Sequence, residues 1–495
     1  MGARRLVVSM GFAAVLVAPW GEAQQAPPPP DPVGVTPLPD APPAAEPSEG
    51  PSPGAAPVTL ADAVALALEA NFDVLAAADD VRSAQLGYST ERADFFPKLT
   101  PKFNRFGDDT QWGMELGQRL PWTGGSLVGS ADWQSRPDIA APFVRSSSVS
   151  LELRQPLLRG FGPNAAHYLL RNRRRGREGR ERAFERARQR VAVEVTRAFY
   201  QVVEQRALLG VARQSLRRSE SLQQASAARL AVGLVSKLDV FRAQLQAAQA
   251  QDSMVRAEAS LADAVERFRF LLGRAAGDAL EPAAVSLPEE LPDELEPLEV
   301  LVPRALAHRL DLHESRDEVE DARRTFSLAR QNLLPQLDLR LGLAGRGVGP
   351  TYGGAWTAAD RQLTFGFETS LPLERSGDRA ERALAEIQVT TRARSLRQRE
   401  LEIEAEVRRA VRDLGQIRKS VDLQKTAVEV AEQQHRLATL RYQRGLASNF
   451  DVVEAEESLV LARSALVSLL ARYQVERVEL LRILGTLDVD TEFAP

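Results

Sequence analysis

The chain has 495 residues, of which 44% are hydrophobic and 26% charged, with a formal net charge of -4. That length supports several core-forming units, and the near balance of charge gives no overall attraction to nucleic acid. Cysteine is absent, which excludes disulfides, cysteine zinc sites and a cysteine-borne lipid anchor.

Read from the start, residues 1–23 have the pattern of an export signal. Arg4 and Arg5 precede an apolar stretch from Leu6 to Val17, too short to span a bilayer, and Gly21-Glu22-Ala23 ends in a small-x-small cleavage pattern. Residues 24–57 form a proline-rich linker, with 13 prolines between Pro27 and Pro57, a composition that stays extended and buries no core. It reads as a spacer or a cell-wall-binding tract. After the signal no apolar run is long enough for a membrane helix, so any bilayer crossing falls to β-strands.

Apolar spacing predicts helices near 60–96, 163–230, 237–273, 298–334, 376–443 and 450–484. In the third, Val240, Ala243, Ala247, Ala250, Met254, Ala257 and Leu261 keep 3-4 spacing; in the last, Val452, Ala455, Leu459, Ala462, Leu466, Leu469 and Tyr473 do the same. This is a coiled-coil period, with alanines that permit close helix approach. The long helices reach roughly 100 Å, and two short helices stacked end to end would match one long one. Between helices, 97–155 and 335–373 alternate with period 2: Leu337, Leu339, Leu341 and Leu343 face away from Asp338, Arg340 and Gly342. That pattern suits a membrane barrel, lipid on one side and water on the other, or a soluble β-subdomain packed on helices. Trp112, Trp122, Trp133 and Trp356 all fall in these segments. Two to four strands cannot close a barrel, so the barrel reading requires an oligomer.

The chain is internally duplicated. Arg229, Gly233, Leu234, Ser236, Asp239, Val240 and Ala243 recur as Arg441, Gly445, Leu446, Ser448, Asp451, Val452 and Ala455; Val64, Leu68, Asp73 and Pro97 recur as Val302, Leu306, Asp311 and Pro335. The domains are then 58–274, a linker 275–297, a second repeat 298–487 and a tail 488–495. The two offsets show that the first half carries 26 extra residues between its first and last helices. They would make one more hairpin, Gln111–Arg119 with Ser126–Gln134, either within the barrel or beside it. Gly233 and Gly445 allow positive φ at a helix end, and Ser236 and Ser448, with Asp239 and Asp451 three residues on, cap the next helix.

The duplicated halves, Leu334-Pro335-Gln336-Leu337 before a strand, Gln155-Pro156-Leu157-Leu158 after one and the two Gly-Leu-x-Ser-x-x-Asp-Val turns resemble the TolC-like outer-membrane factors over about residues 58–487. The resemblance implies a mainly α fold with membrane β. It implies a homotrimer sharing a β-barrel, usually of twelve strands, in outer-membrane lipid and continuous with a long α-helical coiled-coil barrel in the periplasm. It also implies a passive duct for small molecules or proteins, working with a periplasmic adaptor (membrane fusion protein) and an inner-membrane pump, with no cofactor and no enzyme activity. Asp451 and Glu454 map to the acidic entrance constriction, and Tyr442 and Asp239 to contacts that gate it. The helical tips that meet the adaptor map to Gly233, Leu234, Ser236, Gly445, Leu446 and Ser448. The arginine that latches the closed state elsewhere is Ala447 here, so closure rests on other contacts. The rival reading is a periplasmic coiled-coil scaffold or adaptor without a pore.

The arginine run from Arg171 to Arg190 reads as the solvated start of a long helix near the membrane surface, with lipid or cell-wall binding as a weaker alternative. His167, His308, His313 and His435 have no metal-ligand spacing, and no catalytic or phosphate-binding motif is present.

Overall fold

The computed structural model describes residues 57–136, 144–231, 233, 235–275, 278, 280–283, 285–291, 296–357 and 360–493. The expected export signal and almost all of the proline-rich tract lie outside these residues. In chain order the elements are β1 (Pro57–Val58), α1 (Leu60–Ala70), α2 (Phe72–Ala93), β2 (Lys98–Phe106), β3 (Asp109–Arg119), β4 (Ser126–Arg136), β5 (Val144–Pro156), α3 (Pro163–Ala166), α4 (Tyr168–Ala231) and α5 (Lys237–Leu271). There follow β6 (Glu281–Pro282), α6 (Leu298–His308), α7 (Leu310–Asn332), β7 (Gln336–Gly349), α8 (Tyr352–Thr357), β8 (Asp360–Ser370), α9 (Ser376–Gln443), α10 (Asn449–Leu484) and α11 (Val489–Glu492).

The two long helices have 64 and 68 residues, each about 100 Å at ~1.5 Å per residue. α4 packs along α2 over one stretch and α5 over the other, α9 does the same with α7 and α10, and α10 also lies on α4. The cores sit where the short helices meet. In the first half Val191, Val195, Phe199 and Val202 of α4 close on Val64 and on Phe268 of α5. In the second, Ile403, Val407 and Leu414 of α9 close on Leu301, Leu312 and Leu480. Burying side chains of this size stabilises by about 1.5–3 kcal/mol each.

The predicted helices 60–96 and 298–334 are each broken, at Asn71 and at Arg309, where the backbone turns extended. The two breaks are equivalent in the repeat; the first is held by the end of α5, the second by a charge cluster shared with α9. Asn71 donates from Nδ2 to the Leu271 carbonyl at 3.0 Å. Arg309 is pinned by Asp311 at 2.7 Å and by Glu406, and Arg399 reaches the same Asp311 at 2.5 Å. Burial pushes the Asp311 carboxyl up, but hydrogen bonds from the two arginines overcome this and hold it well below the usual carboxylate range. Gly273 and Gly485 lie against these breaks with φ of +66° and +70°. A Cβ on Gly273 would stand 2.6 Å from the Ala70 carbonyl oxygen.

The arginine run is not simply solvated. Arg175 and Arg182 both pair with Asp317 of α7, at 2.9 and 2.7 Å, and Arg186 pairs with Glu314 at 2.7 Å. Arg180 reaches back to Asp80 of α2 at 2.9 Å. The run therefore stitches α4 to acidic residues of both halves, because α7 presents Glu314 and Asp317 one helical turn apart.

β2, β3, β4, β5, β7 and β8 form one antiparallel sheet in that order. Both strands of the additional hairpin, β3 and β4, pair along their lengths and lie inside the sheet. Among the described residues no helix is long and apolar enough to cross a membrane.

Candidate functional site

The sheet separates its two faces across every strand. In strand register, Leu99, Leu116, Gly129, Leu151, Leu343 and Leu363 form one straight row through all six strands. Leu127, Leu153, Leu341 and Phe365 form another, and Phe103, Trp112 and Trp133 a third. Leu363, Phe365 and Phe367 are exposed, as are Leu99 and Phe103. The opposite face is polar. Thr100, Glu115, Ser130 and Ser150 form one of its rows. It also carries the ion pairs Arg154–Asp338, Lys102–Glu115, Arg340–Glu152 and Arg340–Glu368. The strands have 9 to 14 residues, the length a tilted strand needs to cross a bilayer. Trp112 stacks on Trp133 with ring centroids 4.3 Å apart, and Tyr352 meets Trp112 edge-on, so aromatic rings gather near one end of the strands.

At the far end of the helices the two tip turns lie side by side. Each begins with a helix ending at a glycine with positive φ, Gly233 (+76°) and Gly445 (+73°). Each ends in a cap: Asp239 accepts from the Ser236 backbone N–H and hydroxyl at 3.1 and 2.7 Å, and Asp451 from those of Ser448 at 2.7 and 3.0 Å. Ser236, Ser448 and Leu446 are exposed; Leu234 lies outside the described residues. Asp451 and Glu454 are both exposed and one helical turn apart at the start of α10. Asp451 thus has two roles in one side chain, cap and surface charge.

Tyr442 and Asp239, expected to touch, are joined only through intermediaries. The Tyr442 hydroxyl lies 2.9 Å from the Ser226 hydroxyl, and Asn449 donates to the Asp239 carbonyl at 2.7 Å and to Ser226 at 3.5 Å. The reason is that the Asp239 carboxylate is taken up by its own helix cap.

Sequence reasoning missed the stronger part of this junction. Arg229 donates to the Tyr442 and Gln443 carbonyls at 2.6 and 2.8 Å while its guanidinium lies 4.4 Å from the Tyr442 ring centroid. It thus satisfies the orphan carbonyls at the end of α9 with a cation, the favourable sign at a helix C-terminus. Further up, Glu456 of α10 is buried, 4% exposed, between Arg218 of α4 at 2.7 Å and His435 of α9 at 3.1 Å. Burial pushes the Glu456 carboxyl up, but hydrogen bonds from His435 and Arg218 overcome it and hold it at about 2. Arg218, Arg229, His435 and Tyr442 line a cleft of about 390 Å³ beside it. The readable signal was Glu456 itself, a charge within the apolar run Val452, Ala455, Leu459. Of the other histidines, His308 and His313 bond the backbone carbonyls of Arg304 and Ala307, and His167 packs on Phe95. Among the described residues no cluster of His, Asp and Glu has the geometry to hold a metal ion.

The profile of the family described as "Outer membrane efflux protein" matches residues 63–274 and 301–486. A curated relative, nodulation protein T of Rhizobium leguminosarum bv. trifolii, is 23% identical over 262 residues, 52% of this chain and 55% of its own length. The chain therefore spans about half the length of that relative. Among solved structures the fold is similar to the channel protein CusC (TM-score 0.66, 19% identity, 88% of this chain and 95% of that one). It is similar to the outer membrane protein VceC of Vibrio cholerae (TM-score 0.67, 19% identity, 86% and 96%). It is also similar to the open state of the MtrE outer membrane channel of Neisseria gonorrhoeae (TM-score 0.65, 19% identity, 87% and 90%).

Proposed function

Because the chain belongs to the outer membrane efflux protein family, we propose that it is one subunit of a passive outer-membrane exit duct, built from three copies, for small molecules or proteins. The observation that carries this reading is the sheet with one apolar and one charged face, in register across six strands. Such a sheet is stable with hydrocarbon on one side and water on the other. The helices that flank it, α8 apart, all join the same end of its strands, so a barrel in the outer membrane leaves them in the periplasm. The scaffold alternative has no use for a lipid-facing surface of this kind.

The tip turns are the periplasmic entrance in this reading. Three copies bring Asp451 and Glu454 together as a ring of six carboxylates, which attracts cations and repels anions. Tyr442, Ser226, Asn449 and Arg229 hold the second hairpin against α4 and so restrict the opening, in place of a latch at position 447. The exposed Leu238, Phe241, Leu446 and Phe450 at the tips supply apolar surface for neighbouring copies and for a periplasmic adaptor, through which an inner-membrane pump supplies the energy. No group in the duct performs bond chemistry.

The test is cell-envelope fractionation, then mass measurement of the detergent-solubilised particle and conductance in planar bilayers. Outer-membrane recovery, three times the mature mass and a cation-preferring conductance that loses its preference in Asp451→Ala/Glu454→Ala support the reading. A soluble protein, a detergent monomer or a conductance indifferent to both carboxylates overturns it.

A further inference from the structure

The sheet ends on two open edges. β2 and β8 stand at opposite ends of the strand order; every residue of β2 is exposed, and so is nearly every residue of β8. Their lipid-side rows finish in Leu99 and Phe103 on one edge and in Leu363, Phe365 and Phe367 on the other, all exposed. A backbone edge left unpaired at membrane depth cannot be hydrated, so it must be covered by another strand. The first-half hairpin does not fold aside. The row Leu99, Leu116, Gly129, Leu151, Leu343, Leu363 passes through it without a break, and its polar face continues with Lys102, Glu115 and Ser130. β2 leaves the helical region after Ala93, whereas β8 returns to it before Ser376, so the two edges run in opposite directions, as an antiparallel seam requires.

We propose that β2 of one copy pairs with β8 of the next, so that all six strands of each subunit enter the wall and three copies close an eighteen-stranded barrel. This rests on the trimeric duct reading and goes beyond it by replacing the twelve strands that the resemblance implies. With strands ~4.8 Å apart and tilted ~40°, eighteen strands close at a backbone diameter of about 36 Å and twelve at about 24 Å. The outer-membrane segment is then half as wide again, and passage is limited at the entrance ring rather than in the membrane.

The chain holds no cysteine, so an introduced pair reports a single contact. Asn104 of β2, Ser130 of β4 and Thr364 of β8 all lie on the polar face. Strands tilted ~40° advance the register by about six residues from one copy to the next, so the row Thr364, Gly342, Glu152, Val128, Gly117, Lys98 continues on the neighbouring β2 near Asn104. Asn104→Cys with Thr364→Cys therefore reports the proposed seam; Ser130→Cys with Thr364→Cys reports the narrower barrel, in which β4 is the edge. A bis-maleimide of about 10 Å reach bridges neighbouring strands and tolerates a slip of one same-face residue, ~7 Å, but does not cross the two strands between β4 and β8 of one copy. Outer membranes treated in this way are resolved by denaturing electrophoresis, beside the mass of the detergent particle. Covalent trimers from the first pair and none from the second are expected. Trimeric particles that cross-link through the second pair, or through neither, overturn the eighteen-stranded seam and leave the trimer intact; a monomeric particle removes the trimer reading itself.

Discussion

Replacing Glu456 by glutamine tests whether the hairpins are held by buried charge. The carboxylate is 4% exposed and bonded by Arg218 and His435 from two other helices. Its pKa of about 2, against an ordinary 4.5, corresponds to about 3 kcal/mol favouring the folded state at neutral pH. The sign follows from the folded value lying below the unfolded one: the contribution is complete above pH 4.5 and disappears as pH falls from 4.5 toward 2. Glu456→Gln keeps the shape, removes the charge and leaves Arg218, only 28% exposed, without its counter-ion. Loss of one partner of a buried pair costs about 3–5 kcal/mol, and removing both costs much less. At pH 7 the melting of the helical signal in detergent should fall by several degrees in Glu456→Gln. It should recover in Arg218→Met/Glu456→Gln, and the variant should lack the wild-type loss of stability between pH 4.5 and 2. Single-channel conductance should rise, because the second hairpin is no longer tied to α4. An unchanged melting point at pH 7, with the same acid profile as wild type, would refute the reasoning.

Arg229→Ala removes two carbonyl bonds and a cation–π contact, whereas Tyr442→Phe removes one hydroxyl bond worth about 1 kcal/mol; both should raise conductance, the arginine variant more, as read in planar bilayers. Phe365→Arg puts a cation on the apolar face at a cost of about 2–4 kcal/mol and should cut the yield of folded protein in the outer membrane, while Thr364→Arg, one residue away on the polar face, should assemble normally. Gly273→Ala combines a positive φ with a Cβ 2.6 Å from the Ala70 oxygen and should lower the melting point by the equivalent of more than about 2 kcal/mol; Gly233→Ala has the same φ problem in open space and should cost about 1 kcal/mol.

The helices were legible because their ends carry chemistry of their own. Ser236 and Asp239, Ser448 and Asp451, and the glycines before them mark the turns by local rules that no distant contact overrides. The breaks at Asn71 and Arg309 were not legible, since the apolar pattern runs through both and neither position is glycine or proline. Both are instead set by partners in other elements, Leu271 in one case and Glu406 in the other. Strand alternation separated the apolar from the polar face, but alternation within one strand carries no information about which strand lies beside it. The place of the extra hairpin therefore waited for the register. The arginine run was misjudged for a similar reason: its countercharges Glu314 and Asp317 sit more than a hundred residues downstream.

The duplication itself explains why the entrance residues were the hardest to find. Residues that build each hairpin are shared between halves: the glycine, the serine–aspartate cap, the alanine seam. Apart from Arg229, which recurs as Arg441, the residues that join one hairpin to the other are not. Ser226 corresponds to Ala438, Arg218 to Val430, Tyr442 to Leu230, Glu456 to Gln244 and Asn449 to Lys237. A chain made of two identical repeats would present the same joint within a subunit and between subunits. Here the polar joint, Arg218–Glu456–His435 with Ser226–Tyr442, lies between α4 and the α9–α10 hairpin of one copy. In the proposed trimer the equivalent position between copies sets Val430, Ala438 and the end of α9 against Gln244 and Leu230, which cannot form it. Hairpin joints around such a ring alternate in chemistry, three with the buried Arg218–Glu456–His435 set and three without it, so acid acting on that set is expected to loosen the ring with threefold rather than sixfold symmetry.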